Sequence, residues 1–241
     1  MARPFLTAEW RHLAMLNFTA DPSALSPFIP AGTELDNWND KTFVSLVGFL
    51  FLNTRLLGVP IPFHRNFEEV NLRFYVRRKA ENEWRRGVVF IREFVPRRAV
   101  ALVANVLYNE NYAVRRMTSD IQLPCESNSN RGSVNYSWSR RGECHSLQLD
   151  FIGDPSPVAP DSEEEFITEH YWGCTRQRDG GTAEYRVDHP KWRVWRATAV
   201  RLDCDALRCY SPPFGEILGA AASSAFVADG SPVAVYPGKR I

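Results

Sequence analysis

One short segment limits what this chain can fold into: residues 69–77 read EVNLRFYVR, with two kinds of side chain in alternation. Every second position is apolar: Val70, Leu72, Phe74 and Val76. The positions between them are polar or aromatic: Glu69, Asn71, Arg73 and Tyr75. A period of two is typical of a β-strand that has one face against a core, so this segment predicts a sheet.

The same pattern recurs in pairs of segments that are separated by turn residues. Three hairpins are predicted: 69–77 with 87–95, 133–139 with 145–151, and 171–178 with 182–189. The last pair is joined by Asp-Gly-Gly, and Asp-Gly is a strong hairpin signal. Two further strands are predicted at 192–202 and 231–237.

Helical patterns are fewer. Pro96 precedes a run over 97–108 with apolar residues at helical spacing, and Ser162 with Glu165 resembles a capping box that opens a helix over 163–171. A third short helix is predicted within 212–222. Many antiparallel strands with a few helices predict a mainly β chain (α+β), folded over residues 1–241 as a single domain. An antiparallel β-barrel with a central cavity fits this pattern, because small barrels can hold one small ligand.

Composition excludes several classes of protein. The 241 residues include 29 basic and 28 acidic side chains, a balance that argues against nucleic-acid binding. The longest apolar run, 44–52, has nine residues, far fewer than the roughly 20 that a membrane helix needs. Five cysteines without a CxxC pair predict free thiols, and we expect a cytoplasmic protein.

No familiar cofactor motif is present. The five histidines are scattered without zinc spacing, so the sequence predicts no metal site. A nucleophile elbow, a P-loop and a dinucleotide fingerprint are also missing, and no cofactor is expected.

The polar positions of 69–77 are the first candidates for a site. Glu69, Asn71 and Arg73 project from one side of the predicted strand, and alternation alone favours a solvent-facing stripe. If the interior is wet, the same stripe lines a cavity and offers a carboxylate, an amide and a cationic clamp. Arg92 and Glu93 lie within an apolar run, so one of them should point inward.

The order of segments resembles a known family. Residues 23–51, 67–76, 87–117, 169–192 and 231–237 look like the DUF2071 (YqjF-like) family, of the acetoacetate decarboxylase-like superfamily. The pattern F-x-E-x-N-x-R at 67–73 and YNENY at 108–112 carry this resemblance. It implies a double-layered, cone-like β-barrel with a central cavity, often in an oligomer. It therefore favours the cavity interpretation of Glu69, Asn71 and Arg73.

The segment LYNENYAV at 107–114 corresponds to the turn that carries the chemistry in acetoacetate decarboxylases. There the pattern resembles G-x-P-K-K, whose first lysine forms a Schiff base. On that pattern Asn111 takes the place of the proline, Tyr112 of the reactive lysine and Ala113 of its neighbour. The chain has four lysines, at 41, 79, 191 and 239, and all lie in predicted turns or near the end. Schiff-base chemistry needs a desolvated amine, so we expect no such activity.

Three functions remain open. The first is binding of a small carboxylate or carbonyl compound, an oxo- or carboxylic acid, without turnover. The resemblance implies that such a protein can form a homo-oligomer. The candidate ligand-binding residues are Glu69, Asn71, Arg73, Arg92, Glu93, Tyr108, Asn111 and Tyr112. The second is acid/base catalysis on a carbonyl compound by Glu69 and Tyr112. The third is an interaction module whose interior is packed shut by aromatic side chains.

Overall fold

The computed structural model of the chain describes residues 3–81, 83–107 and 109–241. Within these ranges, thirteen strands form one sheet and four form another. The larger sheet contains β1 (Leu6–Ala20), β2 (Glu34–Leu35), β3 (Thr42–Leu56), β4 (Val59–Pro60), β5 (Phe67–Lys79), β6 (Trp84–Val95), β7 (Tyr112–Val114), β11 (Ser156–Pro157), β12 (Trp172–Arg176), β13 (Thr182–Asp188), β14 (Arg193–Arg196), β16 (Ser224–Val235) and β17 (Lys239–Arg240). The smaller sheet contains β8 (Arg116–Gln122), β9 (Arg131–Arg140), β10 (Glu143–Ile152) and β15 (Ala199–Asp203).

The helices are short. They are α1 (Pro22–Leu25), α2 (Arg98–Leu107), α3 (Glu163–Thr168), α4 (Ala206–Cys209) and α5 (Phe214–Gly219). Ser162 caps α3 as predicted, because its hydroxyl accepts a hydrogen bond from the Glu165 N–H at 3.1 Å. None of the helices in the described ranges has the length and apolar character needed to span a membrane.

The larger sheet is curled, so that the last strand of one series pairs with the first. From β16 the neighbours follow as β1, β3, β5, β6, β12 and β13. β13 then pairs with β16 through Val187 and Val235, which completes a ring of pairings. Neighbours in this ring are antiparallel except for β6 and β12, which run parallel at Gly87 and Trp172. The fold is therefore mainly β with a few helices, as predicted.

The smaller sheet packs on one face of the curled sheet. Four alternating apolar residues of β5, at 70, 72, 74 and 76, are fully buried there in one cluster with Tyr136 and Trp138 of β9 and Leu147 of β10. The contact is close at Gly48 of β3, where a Cβ atom would lie 2.7 Å from Cδ2 of Tyr136. Glycine is needed at this position because any larger residue would push the two sheets apart.

The three predicted hairpins are confirmed as β5–β6, β9–β10 and β12–β13. The single strand predicted over 192–202 is wrong, because that segment divides between the two sheets. β14 pairs with β16, whereas β15 pairs with β10. The chain turns between them at Thr198, whose N–H donates to the Asp150 carbonyl at 2.7 Å. The long strands β1 and β3 were not predicted, since their apolar runs lack alternation.

Candidate functional site

A cavity of about 220 Å³ lies on the inner face of the curled sheet. Most of its wall is apolar and includes Trp10, Phe49, Phe51, Phe67 and Phe90. Its polar side chains are concentrated on β5, β6, β7, the turn before β7, and β13: Glu69, Asn71, Arg73, Glu93, Glu110, Tyr112 and Tyr185. An apolar cavity with a few convergent polar groups is the usual form of a small-molecule site.

Strand β5 supplies three of these groups because its side chains alternate between the two faces. The apolar positions enter the core below the smaller sheet, so Glu69, Asn71 and Arg73 must face the cavity. Their exposed fractions are 2%, 2% and 8%. The polar stripe therefore faces inward and not toward bulk solvent.

A bulge in β6 determines which of its charged residues enters the cavity. The pairing with β5 shifts by one residue after Leu72, so that Arg92 faces Leu72 while Phe90 faces Arg73. Glu93 then pairs with Asn71 on one side and with Tyr112 of β7 on the other. This register places three cavity-lining residues in a row across three strands.

The turn before β7, residues 109–111, lies between β6 and β12, whose own pairing is limited to two residues of each strand. The Asn111 amide donates to the Ile91 carbonyl on β6, and the Asn109 amide donates to the Arg176 carbonyl on β12, both at 2.8 Å. Asn109 has a φ of 55°, a conformation that asparagine tolerates better than most residues. The turn thus directs Glu110 and Tyr112 toward the cavity. Tyr108, also a predicted site residue, lies outside the described residues.

Glu69 is at the centre of the polar groups. Its Oε2 accepts a hydrogen bond from the Tyr112 hydroxyl, and its Oε1 accepts one from the Asn71 amide, each at 3.1 Å. Burial raises the pKa of Glu69 to about 7, although both hydrogen bonds and the nearby Arg73 oppose the rise. Burial also keeps the pKa of Tyr112 well above its ordinary value, so the hydroxyl stays a donor at neutral pH.

Glu110 was missed by sequence reasoning although it lies in the middle of YNENY. Its Oε1 accepts hydrogen bonds from the Thr175 hydroxyl at 2.6 Å and the Tyr185 hydroxyl at 3.1 Å. Burial raises the pKa of Glu110 to about 7. The pKa of Glu93 is raised well above its ordinary value, first by burial and then by the charges of Glu110 and Glu69. Burial therefore favours the protonated form of all three neighbouring carboxyl groups.

Arg73 and His170 border the other end of the polar region. The Arg73 Nη2 lies 3.5 Å from the Ile167 carbonyl, whereas its Nε has no hydrogen-bond partner among the described residues. Burial lowers the pKa of His170 to about 4, so the ring is neutral at pH 7. Its Nε2 lies 3.1 Å from Oδ2 of Asp36, which fixes the side chain's orientation.

Two predicted site residues are not brought to this cavity. Arg92 and Asn111 line a second cavity of about 250 Å³ on the opposite side of β6. Arg92 points away from the first cavity because of the bulge in β6. Asn111 does so because its amide is hydrogen-bonded to the Ile91 carbonyl. Lysine does not occur among the described residues that line either cavity.

A group of potential metal ligands occurs elsewhere, in and beside the smaller sheet. Among the described residues, His145, Cys204 and Cys209 have ligand atoms within 4.8 Å of one another. Sequence spacing missed them because the pairing of β10 with β15 joins distant segments. The Nδ1 atom of His145 already accepts the Asp205 N–H at 3.4 Å. All five cysteines are free thiols, as predicted.

The arrangement of the curled sheet and cavity can be compared with known proteins. The model of DUF2071, described as an uncharacterized conserved protein, matches residues 7–230. The chain belongs to the DUF2071 family. A relative, the uncharacterized protein YqjF of Bacillus subtilis (strain 168), is 27% identical over 195 residues. The match covers 79% of this chain and 75% of YqjF.

Solved structures confirm the predicted acetoacetate decarboxylase-like fold. Acetoacetate decarboxylase from Legionella pneumophila aligns with a TM-score of 0.69 and 12% identity, over 100% of this chain and 88% of that one. The enduracididine biosynthesis enzyme MppR complexed with pyruvate aligns with a TM-score of 0.68 and 12% identity. Its alignment covers 100% of this chain and 91% of the enzyme. At such identities the likeness shows a shared fold.

Proposed function

We propose that this DUF2071 protein binds a small oxo- or carboxylic acid in the apolar cavity, with the acid's polar end toward Glu69 and Arg73. One observation carries the proposal. Asn71 Oδ1, Arg73 Nε and Glu93 Oε2 belong to cavity-lining side chains, yet these atoms are buried without a hydrogen-bond partner. Unpaired buried polar atoms are costly in a folded protein, and a ligand's polar groups would offset that cost.

The charges at the polar end indicate the class of ligand. Arg73 is the one arginine among the described residues that line this cavity. A guanidinium group binds a carboxylate well, through charge-assisted hydrogen bonds. A protonated Glu69, held by the hydrogen bond from the Tyr112 hydroxyl, can donate to a carbonyl oxygen next to that carboxylate. The aromatic wall suits a short alkyl or aryl chain. The likeness to MppR, solved with pyruvate, supports an oxo acid as the first ligand to test.

A Schiff base is not part of the proposal. On the sequence resemblance to decarboxylases, Tyr112 takes the place of the reactive lysine, and no described lining residue is a lysine. The four lysines of the chain are elsewhere, and the Lys191 Nζ is bound to the Glu165 carboxylate at 2.6 Å. Reduction with borohydride in the presence of a keto acid should therefore label none of them.

A thermal-shift panel tests the binding proposal. Pyruvate, longer 2-oxo acids, 3-oxo acids and the matching plain carboxylic acids are compared on the native protein and on Arg73→Gln. A ligand at one hundred times its Kd should stabilise by about 2.7 kcal/mol, or about 5–10 °C in Tm. The exposed Arg116→Gln is the control, since it removes the same charge outside the cavity. Binding would be ruled out by no shift for any acid together with no co-purified ligand in native mass spectrometry.

A second function is favoured by the contact between Glu69 and Tyr112. A carboxyl group with a pKa of about 7 is suited to accept and return a proton at neutral pH. The bound acid would then exchange a proton on the carbon next to its carbonyl. Proton NMR in deuterated water measures this exchange, and Glu69→Gln should slow it by about 100-fold or more. Exchange at the uncatalysed rate would leave binding as the function.

A further inference from the structure

The second cavity holds two arginines that form no ion pair with a described residue. It lies outside the ring, where β6 and β12 diverge around the turn, and Arg92 and Arg176 both line it. In the described part of the chain, Arg92 has no ion pair or hydrogen bond, and Arg176 Nη1 donates only to the Pro27 carbonyl at 3.4 Å. By contrast, the neighbouring Arg78 and Arg85 both bind the carboxylate of Glu184.

A third group in this cavity also lacks a partner. The Tyr210 side chain lines the cavity and is only 2% exposed, and its hydroxyl has no hydrogen bond among the described residues. A buried hydroxyl is nearly always paired, with protein, water or a ligand. Burial keeps the pKa of Tyr210 well above its ordinary value, so this hydroxyl is a neutral donor.

The acid at the cavity's edge does not neutralise the arginines. Glu110 lines both cavities, but the hydrogen bonds recorded for its carboxylate come from Thr175 and Tyr185. A single carboxylate charge would also be too small to balance the two positive charges of Arg92 and Arg176. Two cations and a neutral donor around one recess are a suitable environment for an oxyanion, since guanidinium groups bind carboxylate and phosphate through charge-assisted hydrogen bonds.

We propose that the second cavity is an anion site, in which Arg92 and Arg176 bind the carboxylate or phosphoryl group of a small molecule and the Tyr210 hydroxyl donates a further hydrogen bond. The site is distinct from the oxo-acid cavity: the two cavities share Phe90 and Glu110 in their walls, but Arg92, Arg176 and Tyr210 line the second cavity alone. Bound anion would also hold β6 and β12 together where their own pairing ends.

Isothermal titration calorimetry at constant ionic strength tests the site with two probes, inorganic phosphate and succinate. Tighter binding of phosphate would indicate a ligand with a phosphoryl group, and tighter binding of succinate would indicate a carboxylate ligand. Arg92→Gln and Arg176→Gln should each weaken that binding by about tenfold or more, and Tyr210→Phe by a smaller factor. Arg131→Gln is the matched control, because Arg131 is exposed on the smaller sheet and has no ion pair in the described residues.

Arg73→Gln distinguishes this site from the oxo-acid cavity, and it should leave binding of the anion unchanged. If neither probe binds the native protein, the anion site does not exist. If Arg131→Gln weakens binding as much as Arg92→Gln, the attraction is a property of the whole surface and the proposal is wrong. If Arg73→Gln alone abolishes binding, the anion occupies the first cavity and the proposal again fails. Each variant is first checked for an unchanged Tm in buffer.

Discussion

The Tyr112 hydroxyl donates a hydrogen bond to Oε2 of Glu69 across 3.1 Å, although the two residues are 43 positions apart in the chain. Glu69 comes from the middle of the strand pattern, and Tyr112 comes from the turn that closes the gap between β6 and β12. Glu93 lies between them in register. The chemistry of the cavity therefore depends on how firmly this turn is held against the sheet.

Removing the Tyr112 hydroxyl should make Glu69 a weaker acid. Its hydrogen bond favours the ionised carboxylate and opposes the effect of burial, so Tyr112→Phe should raise the pKa of Glu69 above about 7. Carbon-detected NMR of labelled glutamate side chains measures this titration directly, with Glu69→Gln used to assign the signal. An unchanged or lower pKa in Tyr112→Phe would show that the contact does not control the proton on Glu69.

The contribution of Glu69 to the stability of the protein should fall as the pH rises from about 4.5 to about 7. The folded state retains a proton on Glu69 that an unfolded chain loses near pH 4.5, so the contribution of this group is complete below pH 4.5 and is lost through pH 7. For Glu69 the loss is about 3 kcal/mol. Urea unfolding between pH 5 and pH 8 measures the free energy of unfolding.

Glu69→Gln provides the matched comparison for that titration. Glutamine stays neutral, so Glu69→Gln does not lose this contribution. The variant should therefore become more stable relative to the native protein as the pH rises. Glu68→Gln, at the neighbouring position on the other side of the strand, serves as the control. A difference that is flat with pH would mean that Glu69 titrates in the folded protein as it does in the unfolded chain.

The alternation in 69–77 was enough to predict that Glu69, Asn71 and Arg73 share one side of a strand. It could not predict which side faces the cavity, because the direction depends on where the smaller sheet packs. That sheet covers the apolar side through Tyr136 and Trp138, which are far away in sequence. The likeness to a known family provided the missing direction.

Other parts of the site could not be predicted from local pattern. The choice between Arg92 and Glu93 depends on a one-residue bulge in β6, and a bulge leaves no clear mark in the apolar run. Glu110 and Tyr185 meet because the turn at 109–111 is hydrogen-bonded to β12, the strand that pairs with β13. The three hairpins could be predicted because each joins residues that are close in sequence, whereas these contacts join distant segments.

The packing between the two sheets predicts a large effect of a small substitution. Gly48→Ala would place a methyl group 2.7 Å from the Tyr136 ring, so the sheets must separate or the ring must move. We expect a loss of about 1–3 kcal/mol in the free energy of unfolding, as for other overpacked cores. Gly219→Ala is the control, since a Cβ there meets nothing within 4 Å. Urea unfolding measures both, and equal stability of the two variants would contradict the close contact.

Asn105 of α2 should be as important to the cavity as the residues that line it. Its amide donates to the Tyr112 carbonyl at 3.0 Å and its Oδ1 accepts the Tyr112 N–H at 2.7 Å, so one side chain holds both backbone groups of Tyr112. Asn105→Ala should lower the free energy of unfolding by about 1–3 kcal/mol, because it leaves these two groups without their partner.

The same substitution should also weaken binding of the most stabilising oxo acid, because Tyr112 would no longer be fixed beside Glu69. Asn66→Ala is the matched control: the Asn66 side chain also accepts a backbone N–H, that of Asn53, but far from the turn. Thermal shifts with and without the acid separate the two effects. If Asn105→Ala lowers Tm but keeps the full ligand-induced shift, the position of Tyr112 does not determine binding. A shift reduced in Asn105→Ala and in Tyr112→Phe, but not in Asn66→Ala, would show that the helix controls the cavity through this one contact.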